Sequence, residues 1–187
     1  MVKVGFICEG ETEKIIVESD NFKHLLFQHN FILTKAIDAT GNGNLLPKNI
    51  LPFIEILKDE GVEKIFIISD LDNDQCITNT KLRISAPDSA IVIIAVKQIE
   101  AWFLSDSFLL SKIFGEPFEY PFPENEIKPR ETLKLLFLQK TKRGIGDSKP
   151  KFAYSMVNNG FSLLNAAKHK DASSAKYFIH KLQSLNT

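Results

Sequence analysis

Residues 2–14 have the sequence VKVGFICEGETEK, and residues 65–74 have the sequence IFIISDLDND. Each stretch begins as a short apolar run, which is typical of a buried strand, and each ends abruptly in carboxylates. The carboxyl ends of parallel strands meet at one edge of a sheet, where clustered acids repel one another. A hard divalent cation would remove that repulsion. The two stretches therefore predict a metal site at the edge of a parallel sheet.

Strand and helix patterns alternate four times along the first hundred residues. Near-continuous apolar runs, such as AIVIIAV at 90–96, are typical of strands in a sheet that is covered on both faces. We therefore predict an α/β fold with a four-stranded, mainly parallel, Rossmann-like sheet flanked by helices. The predicted strands are 2–8, 31–39, 63–69 and 89–97, and the predicted helices between them are 11–30, 45–61 and 75–84.

Beyond residue 97 the pattern becomes helical. A proline-rich loop is predicted at 115–129 and a basic, glycine-containing loop at 143–150. The predicted helices are 99–114, 130–142, 151–160, 161–168 and 173–185. We predict that residues 1–106 form the α/β core, and that residues 107–187 form a helical, basic C-terminal extension packed on that core as one compact domain.

The formal net charge of zero hides an asymmetry between two parts of the chain. Residues 1–127 contain 11 Lys and Arg against 20 Asp and Glu, whereas residues 128–187 contain 12 against 3. An acidic part and a basic part together favour a metal on one side and a polyanion on the other. The apolar run at 90–96 is too short to span a bilayer, and the two cysteines indicate no disulfide framework. We expect a cytoplasmic protein that does not associate with membranes.

Five acidic residues follow predicted strands or begin the helices after them. Glu9 and Glu13 are four apart across a strand-to-helix junction, Asp70 and Asp72 are two apart at a strand end, and Glu100 follows the fourth strand. If the first and third strands are neighbours, these side chains converge. Sites for Mg²⁺ or Mn²⁺ use carboxylate oxygens, and a two-metal site needs several of them. We predict that these five residues hold such a site.

A structural explanation competes with the metal-site interpretation. Acidic residues also begin helices, where they interact favourably with the helix dipole, and Asp-rich segments form turns. This explanation is favoured for Glu11 and Asp74, which we do not assign to the site.

The order of these motifs resembles the Toprim fold, which is shared by topoisomerases, bacterial primases, recombination proteins and OLD-type nucleases. The resemblance covers about residues 2–106. EGETE at 9–13 resembles the OLD-type variant most, in which two glutamates four apart bind metal. IEAWFLSD at 99–106 resembles a segment of small stand-alone Toprim-like proteins that are often associated with phage defence or mobile elements.

This resemblance implies roles for individual residues. The implied metal ligands are Glu9, Asp70 and Asp72, joined by Glu13 and Glu100 for a second metal. The backbone positions implied to lie close to the cofactor are Gly10, Thr40, Gly41 and Gly43. OLD-type sites also use a lysine from beyond the sheet to stabilise phosphate charge, and the nearest matches are Lys149 and Lys151, followed by Lys97.

The function predicted from the residues and the resemblance is a divalent-metal-dependent phosphodiesterase, a nuclease that acts on DNA or RNA. Residues 128–151 would grip the nucleic-acid backbone without recognising sequence. A homodimer or a larger defence complex is a further expectation. The main alternative is a non-catalytic Toprim-like module that binds a nucleotide, a nucleic acid or a protein partner. A phosphate-accepting receiver domain is disfavoured because the Asp-x-Asp motif follows the third strand.

Overall fold

The computed structural model describes residues 1–185, so the last two residues of the predicted extension lie outside the described part. Its strands form one sheet in the order β2-β1-β3-β4, and each neighbouring pair is parallel. The predicted α/β class is confirmed, and the first and third strands are neighbours. The strands are β1 (Val2–Cys8), β2 (Phe31–Asp38), β3 (Lys64–Asp70) and β4 (Ala90–Ala95).

Helices connect the strands and make up most of the chain after β4. None of the helices within residues 1–185 is long and apolar enough to cross a membrane. The α-helices are α1 (Glu11–Glu18), α2 (Asp20–Gln28), α3 (Pro47–Asp59), α4 (Ile77–Ile84), α5 (Glu100–Ser105), α6 (Ser107–Phe114), α7 (Pro129–Thr141), α8 (Lys149–Asn158), α9 (Leu163–Ala166) and α10 (Ser173–Ser184).

The prediction of one continuous helix over residues 11–30 is wrong, because the chain breaks at Ser19 between α1 and α2. The Ser19 hydroxyl donates to the carbonyl of Ile16 at 2.7 Å and accepts from the backbone N–H of Phe22 at 3.3 Å. One side chain thus ends the first helix and caps the second. Apolar periodicity continues across such a break and does not reveal it.

The continuous helix predicted over residues 99–114 is wrong for a similar reason. Asp106 separates α5 from α6 and caps α6, because its Oδ1 accepts from the N–H of Leu109 at 3.0 Å. Its Oδ2 accepts from the N–H of Ser162 at 2.9 Å, which ties this junction to the chain before α9. The short α5 starts with Glu100 and therefore belongs to the site described below.

Alternating strand residues bury the two faces of the sheet against different helices. Phe6 and Phe66 stack with their ring centroids 5.1 Å apart on the face covered by α1, α2 and the helices from α5 to α10. Ile7 and Ile67 point to the opposite face, where α3 and α4 cover them. Both faces are buried, which explains the continuous apolar strands and leaves the carboxyl edge of the sheet as the place where polar groups can gather.

Candidate metal centre

Parallel pairing brings the carboxyl ends of β1 and β3 side by side. Cys8 is in register with Ile68, so Glu9 emerges next to the end of β3. Glu9 Oε2 accepts from the Ser69 hydroxyl at 2.7 Å and from the backbone N–H of Asp70 at 3.1 Å. The third strand therefore holds the Glu9 carboxylate in place through two hydrogen bonds.

Two further carboxylates are fixed by backbone donors at the same edge. Glu13 is only 5% exposed, and its Oε2 accepts from the N–H of Gly10 at 2.9 Å, as in a capping box. Asp70 is 7% exposed, and its Oδ1 accepts from the N–H of Ile99 at 2.8 Å. The second oxygen of each carboxylate takes no part in these bonds. Both acids are thus oriented while keeping one oxygen for another ligand.

Glu100 is the most deeply buried acid of the group. Its side chain begins α5 and is 1% exposed, and neither carboxylate oxygen has a hydrogen-bond partner among the described residues. The Lys149 ammonium lies 3.7 Å from Glu100 Oε1. Burying a carboxylate without donors is costly, so Glu100 occupies a position where a cation would stabilise the protein.

The pKa values show that these acids share one electrostatic environment. The pKa of Asp70 is raised well above its usual value by burial first and then by the charges of Glu13, Glu100, Glu9 and Asp72. The pKa of Glu13 is raised to about 7, chiefly by burial, with further contributions from Glu9 and Glu100. Mutual repulsion of this kind is concentrated at functional sites and is what a bound cation would relieve.

An open cavity of about 330 Å³ lies over the cluster. Seven of the residues predicted for the site line it, together with Asp38 and Glu11, which were not assigned to the site. Glu100 does not line the cavity, but it forms an ion pair with Lys149, which does. The predicted residues in the wall are Glu9, Gly10, Glu13, Thr40, Gly41, Asp70 and Lys149.

The turn after β2 closes one side of this cavity. The Gly41 N–H donates to the Glu9 carbonyl at 2.7 Å, and the Thr40 N–H donates to Asp38 Oδ1 at 2.7 Å. Gly41 has a φ of 119°, a conformation that residues with a Cβ rarely adopt. Glycine at this position therefore allows the backbone to contact the strand end that carries Glu9.

Several predicted residues lie farther from the cavity. Asp72 stands in the turn after β3 with a φ of 47°, and its N–H donates to the Lys97 carbonyl at 2.8 Å. It contributes to the field at Asp70 but does not line the cavity. Gly43 lies in a short 3₁₀ segment, and Lys151 lines a different cavity. The geometry favours Lys149 over Lys151 and Lys97 as the lysine of this site.

Asp74 has a structural partner of its own. Its Oδ2 accepts from the Thr80 hydroxyl at 2.8 Å and forms an ion pair with Arg83 at 3.1 Å. These contacts hold its pKa below the usual value. Asp74 thus ties the turn after β3 to α4.

Two residues that support the site were not recognised from the sequence. Ser69, which bonds Glu9, is the polar residue between the apolar run 65–68 and Asp70, and that position was the available signal. Arg130 is buried and donates to the carbonyls of Gly146 at 3.2 Å and Asp147 at 2.8 Å. It holds the loop that leads into Lys149, and no local pattern indicates such a contact.

The carboxylate oxygens of this site fit a hard divalent cation in their chemistry, but the side chains are not arranged around a single point. Carboxylate oxygens are the ligands that Mg²⁺ and Mn²⁺ prefer. As the side chains stand, the described part of the chain contains no group of three or more His, Cys, Asp or Glu residues placed to hold a metal ion. The buried Glu100 carboxylate nevertheless fits a cation, because no described residue donates a hydrogen bond to it.

Fold and site together define a parallel α/β protein with an acidic cluster and one lysine at the carboxyl edge of its sheet. No family model matches the chain, and no curated protein matches it. The C-terminal region of the Burkholderia pseudomallei OLD protein has 12% identity and a TM-score of 0.48, with 100% of each chain covered. The C-terminal region of the Xanthomonas campestris pv. campestris OLD protein has 13% identity and a TM-score of 0.40, with 97% of this chain and 96% of that chain covered. Both TM-scores are below 0.5, which is too low for the similarity to assign a family or an activity.

Proposed function

We propose that this chain is a divalent-metal-dependent phosphodiesterase, a nuclease that uses Mg²⁺ or Mn²⁺ to cleave DNA or RNA. The observation that carries the proposal is the cluster of buried, mutually repelling carboxylates at the sheet edge, in which Glu100 receives no hydrogen bond from any residue within 1–185. The resemblance of residues 99–106 extends the proposal to a role in phage defence or on mobile elements.

The metal ligands in this proposal come from three neighbouring segments. Glu9, Asp70 and Asp72 would hold one metal ion, and Glu13 and Glu100 would help to hold a second. When bound, such a metal supplies Lewis-acid stabilisation of phosphate charge and lowers the pKa of water. The hydrogen bonds from Ser69 and the backbone keep two of these carboxylates oriented before any ligand arrives. Preorganised ligands of this kind lose little conformational freedom on binding.

The position of Lys149 supports a role in phosphate binding. Its ammonium lies at the wall of the acidic cavity, at the start of α8, and its side chain is 46% exposed. A phosphate group entering the cavity would accept hydrogen bonds from this ammonium, which would stabilise the negative charge of the transition state. The carboxylates alone would repel a phosphate group. The Lys149 ammonium at the cavity wall would offset that repulsion.

A second cavity extends the basic surface away from the acids. It has a volume of about 480 Å³ and is lined by Arg143, Gly144 and Lys151, among others. The first turn of α8 lies between the two cavities, with Lys149 facing one and Lys151 facing the other. Residues 128–151 contain 8 Lys and Arg against 2 Asp and Glu. A nucleic-acid backbone crossing this turn would gain contacts that are independent of base sequence.

The test measures metal binding and cleavage in the same preparations. The EDTA-treated protein is titrated with Mn²⁺ by calorimetry and then incubated with labelled single- and double-stranded DNA and RNA. We expect Asp70→Asn and Glu9→Gln to weaken Mn²⁺ binding and to lower cleavage by about 100-fold or more. Asp74→Asn is the matched control, because this nearby acid is bonded to Thr80 and Arg83.

Each outcome has a defined meaning. Cleavage that survives Asp70→Asn would contradict the assigned site. Binding of Mn²⁺ that depends on Asp70 and Glu9, without cleavage of any substrate, would favour a non-catalytic module. Failure of the wild-type protein to bind Mn²⁺ would overturn the metal site itself.

A further inference from the structure

Given the proposed function, we propose that Lys149 and the metal compete for Glu100. In the metal-free protein the Lys149 ammonium is the counter-ion of the buried Glu100 carboxylate. Metal binding then replaces the ammonium at Glu100 and releases it toward the phosphate of the substrate. The same side chain thus weakens metal binding and supports the reaction that follows.

Glu100 requires a positive charge in the metal-free protein. Its carboxylate is 99% buried and receives no hydrogen bond from the described residues. Within residues 1–185, the Lys149 ammonium is the one cationic group within 4.0 Å of it. The ion pair therefore compensates for part of the cost of burying this carboxylate.

Lys149 is also free to leave. The distance of 3.7 Å to Glu100 Oε1 is longer than a hydrogen bond, and 46% of the lysine side chain is exposed. The backbone before it is held separately, by the Arg130 contacts to the loop and by the Ser148 hydroxyl, which caps α8 by accepting from the N–H of Lys151 at 3.3 Å. The ammonium can therefore change partner while the helix stays in place.

The competition follows from the position of both charges at one cavity. Lys149 lines the cavity that Glu9, Glu13 and Asp70 also line. A cation bound by these acids would lie close to the Lys149 ammonium, and the two positive charges would repel each other. The ammonium would therefore lower the affinity of the acids for the cation, and a bound cation would weaken the contact between the ammonium and Glu100. A lysine that lines a different cavity, as Lys151 does, would have little such effect on metal binding.

The experiment compares Mn²⁺ affinity in two lysine variants without nucleic acid. We expect Lys149→Met to lower the Kd for Mn²⁺ by about tenfold, measured by calorimetry, because the competing charge is gone. Lys151→Met is the matched control, since this lysine lies two residues later on the same helix but lines the second cavity. It should change the Kd by less than about twofold. Lys149→Met should also cleave more slowly despite binding metal more tightly.

A double-mutant cycle tests whether the effect acts through Glu100. In a Glu100→Gln background the carboxylate for which the ammonium competes is absent, so Lys149→Met should tighten Mn²⁺ binding clearly less than in the wild-type background, because only the direct repulsion between ammonium and metal remains. An equal gain in both backgrounds would overturn the role of Glu100. Circular dichroism verifies folding, and Lys149→Gln provides a second variant. Wild-type protein that binds Mn²⁺ at least as tightly as Lys149→Met would overturn the competition and leave the proposed function standing. Failure of both proteins to bind Mn²⁺ would instead overturn the proposed function.

Discussion

Glu13 illustrates at the scale of a single residue what clustered acids cost the fold. Its pKa is raised from a usual value of 4.5 to about 7, mainly by burial and then by the charge of Glu9. Between these pH values the folded chain binds more protons at Glu13 than the unfolded chain does. The free energy of unfolding therefore falls as the pH rises through this window. Below the window Glu13 is protonated in both states and has no such effect.

Replacing Glu13 should remove this pH dependence. Glu13→Gln keeps an oxygen that can accept from the Gly10 N–H but cannot ionise. In EDTA, the wild-type protein should lose roughly 3 kcal/mol of stability relative to Glu13→Gln between pH 4.5 and pH 7. Urea unfolding at several pH values measures the difference. Parallel pH profiles of stability for the wild-type protein and Glu13→Gln would contradict the raised pKa of Glu13. Glu11→Gln, which changes an exposed acid of the same helix, is the control.

At the scale of elements, the loop between α7 and α8 decides where Lys149 stands. The buried Arg130 guanidinium donates to the carbonyls of Gly146 and Asp147, close to the start of α8. Ser148 then caps the helix. Lys149 is the next residue, so its place at the acidic cavity depends on contacts made by the preceding loop.

Removing the Arg130 guanidinium should loosen this loop selectively. We expect Arg130→Met to lower the free energy of unfolding by about 1.5 kcal/mol, because two charge-assisted hydrogen bonds are lost. Amide hydrogen exchange should accelerate in residues 143–149 more than in the strands. Arg143→Met, at an exposed arginine of the same loop, should change stability by less than about 0.5 kcal/mol. Equal effects of the two variants would show that Arg130 does not hold the loop.

At the scale of the whole molecule, opposite charges are separated between the acidic edge and the exposed basic surface around α7 and α8. Some basic residues of that surface pair internally, as Lys134 does with Asp147 and Lys140 with Glu116. Arg143 and Lys151 are exposed at the second cavity. We propose that these two residues contact the nucleic-acid backbone.

Binding of nucleic acid should depend on salt in a way that reports these contacts. The plot of log affinity against log salt should become shallower by about 1.4–1.8 in the double variant Arg143→Glu, Lys151→Glu, since each phosphate contact contributes about 0.7–0.9. Fluorescence anisotropy of a labelled oligonucleotide in EDTA measures the slope. The matched control, Lys48→Glu with Lys58→Glu, makes the same change in net charge on α3, which covers the other face of the sheet. If the slope decreases equally in the two double variants, binding depends on the net charge of the protein and not on the surface that Arg143 and Lys151 form.

The sequence by itself determined the parallel α/β class and the chain order of the acidic segments. Both depend on local patterns: strand-length apolar runs that end in carboxylates at Glu9 and Asp70, and helical periodicity between them. Parallel pairing then places every strand end at one edge, so convergence follows once β1 and β3 are known to be neighbours.

Only the tertiary structure decided which polar groups meet at that edge. Ser69 bonds Glu9 across 60 residues of chain, and Lys149 reaches Glu100 across 49, so no sequence window contains either pair. The tertiary structure also placed Lys149 and Lys151 at different cavities. Residues two positions apart in an α-helix lie about 200° apart around its axis and therefore face different sides. The breaks at Ser19 and Asp106 depend likewise on side-chain hydrogen bonds that hydrophobic periodicity does not record.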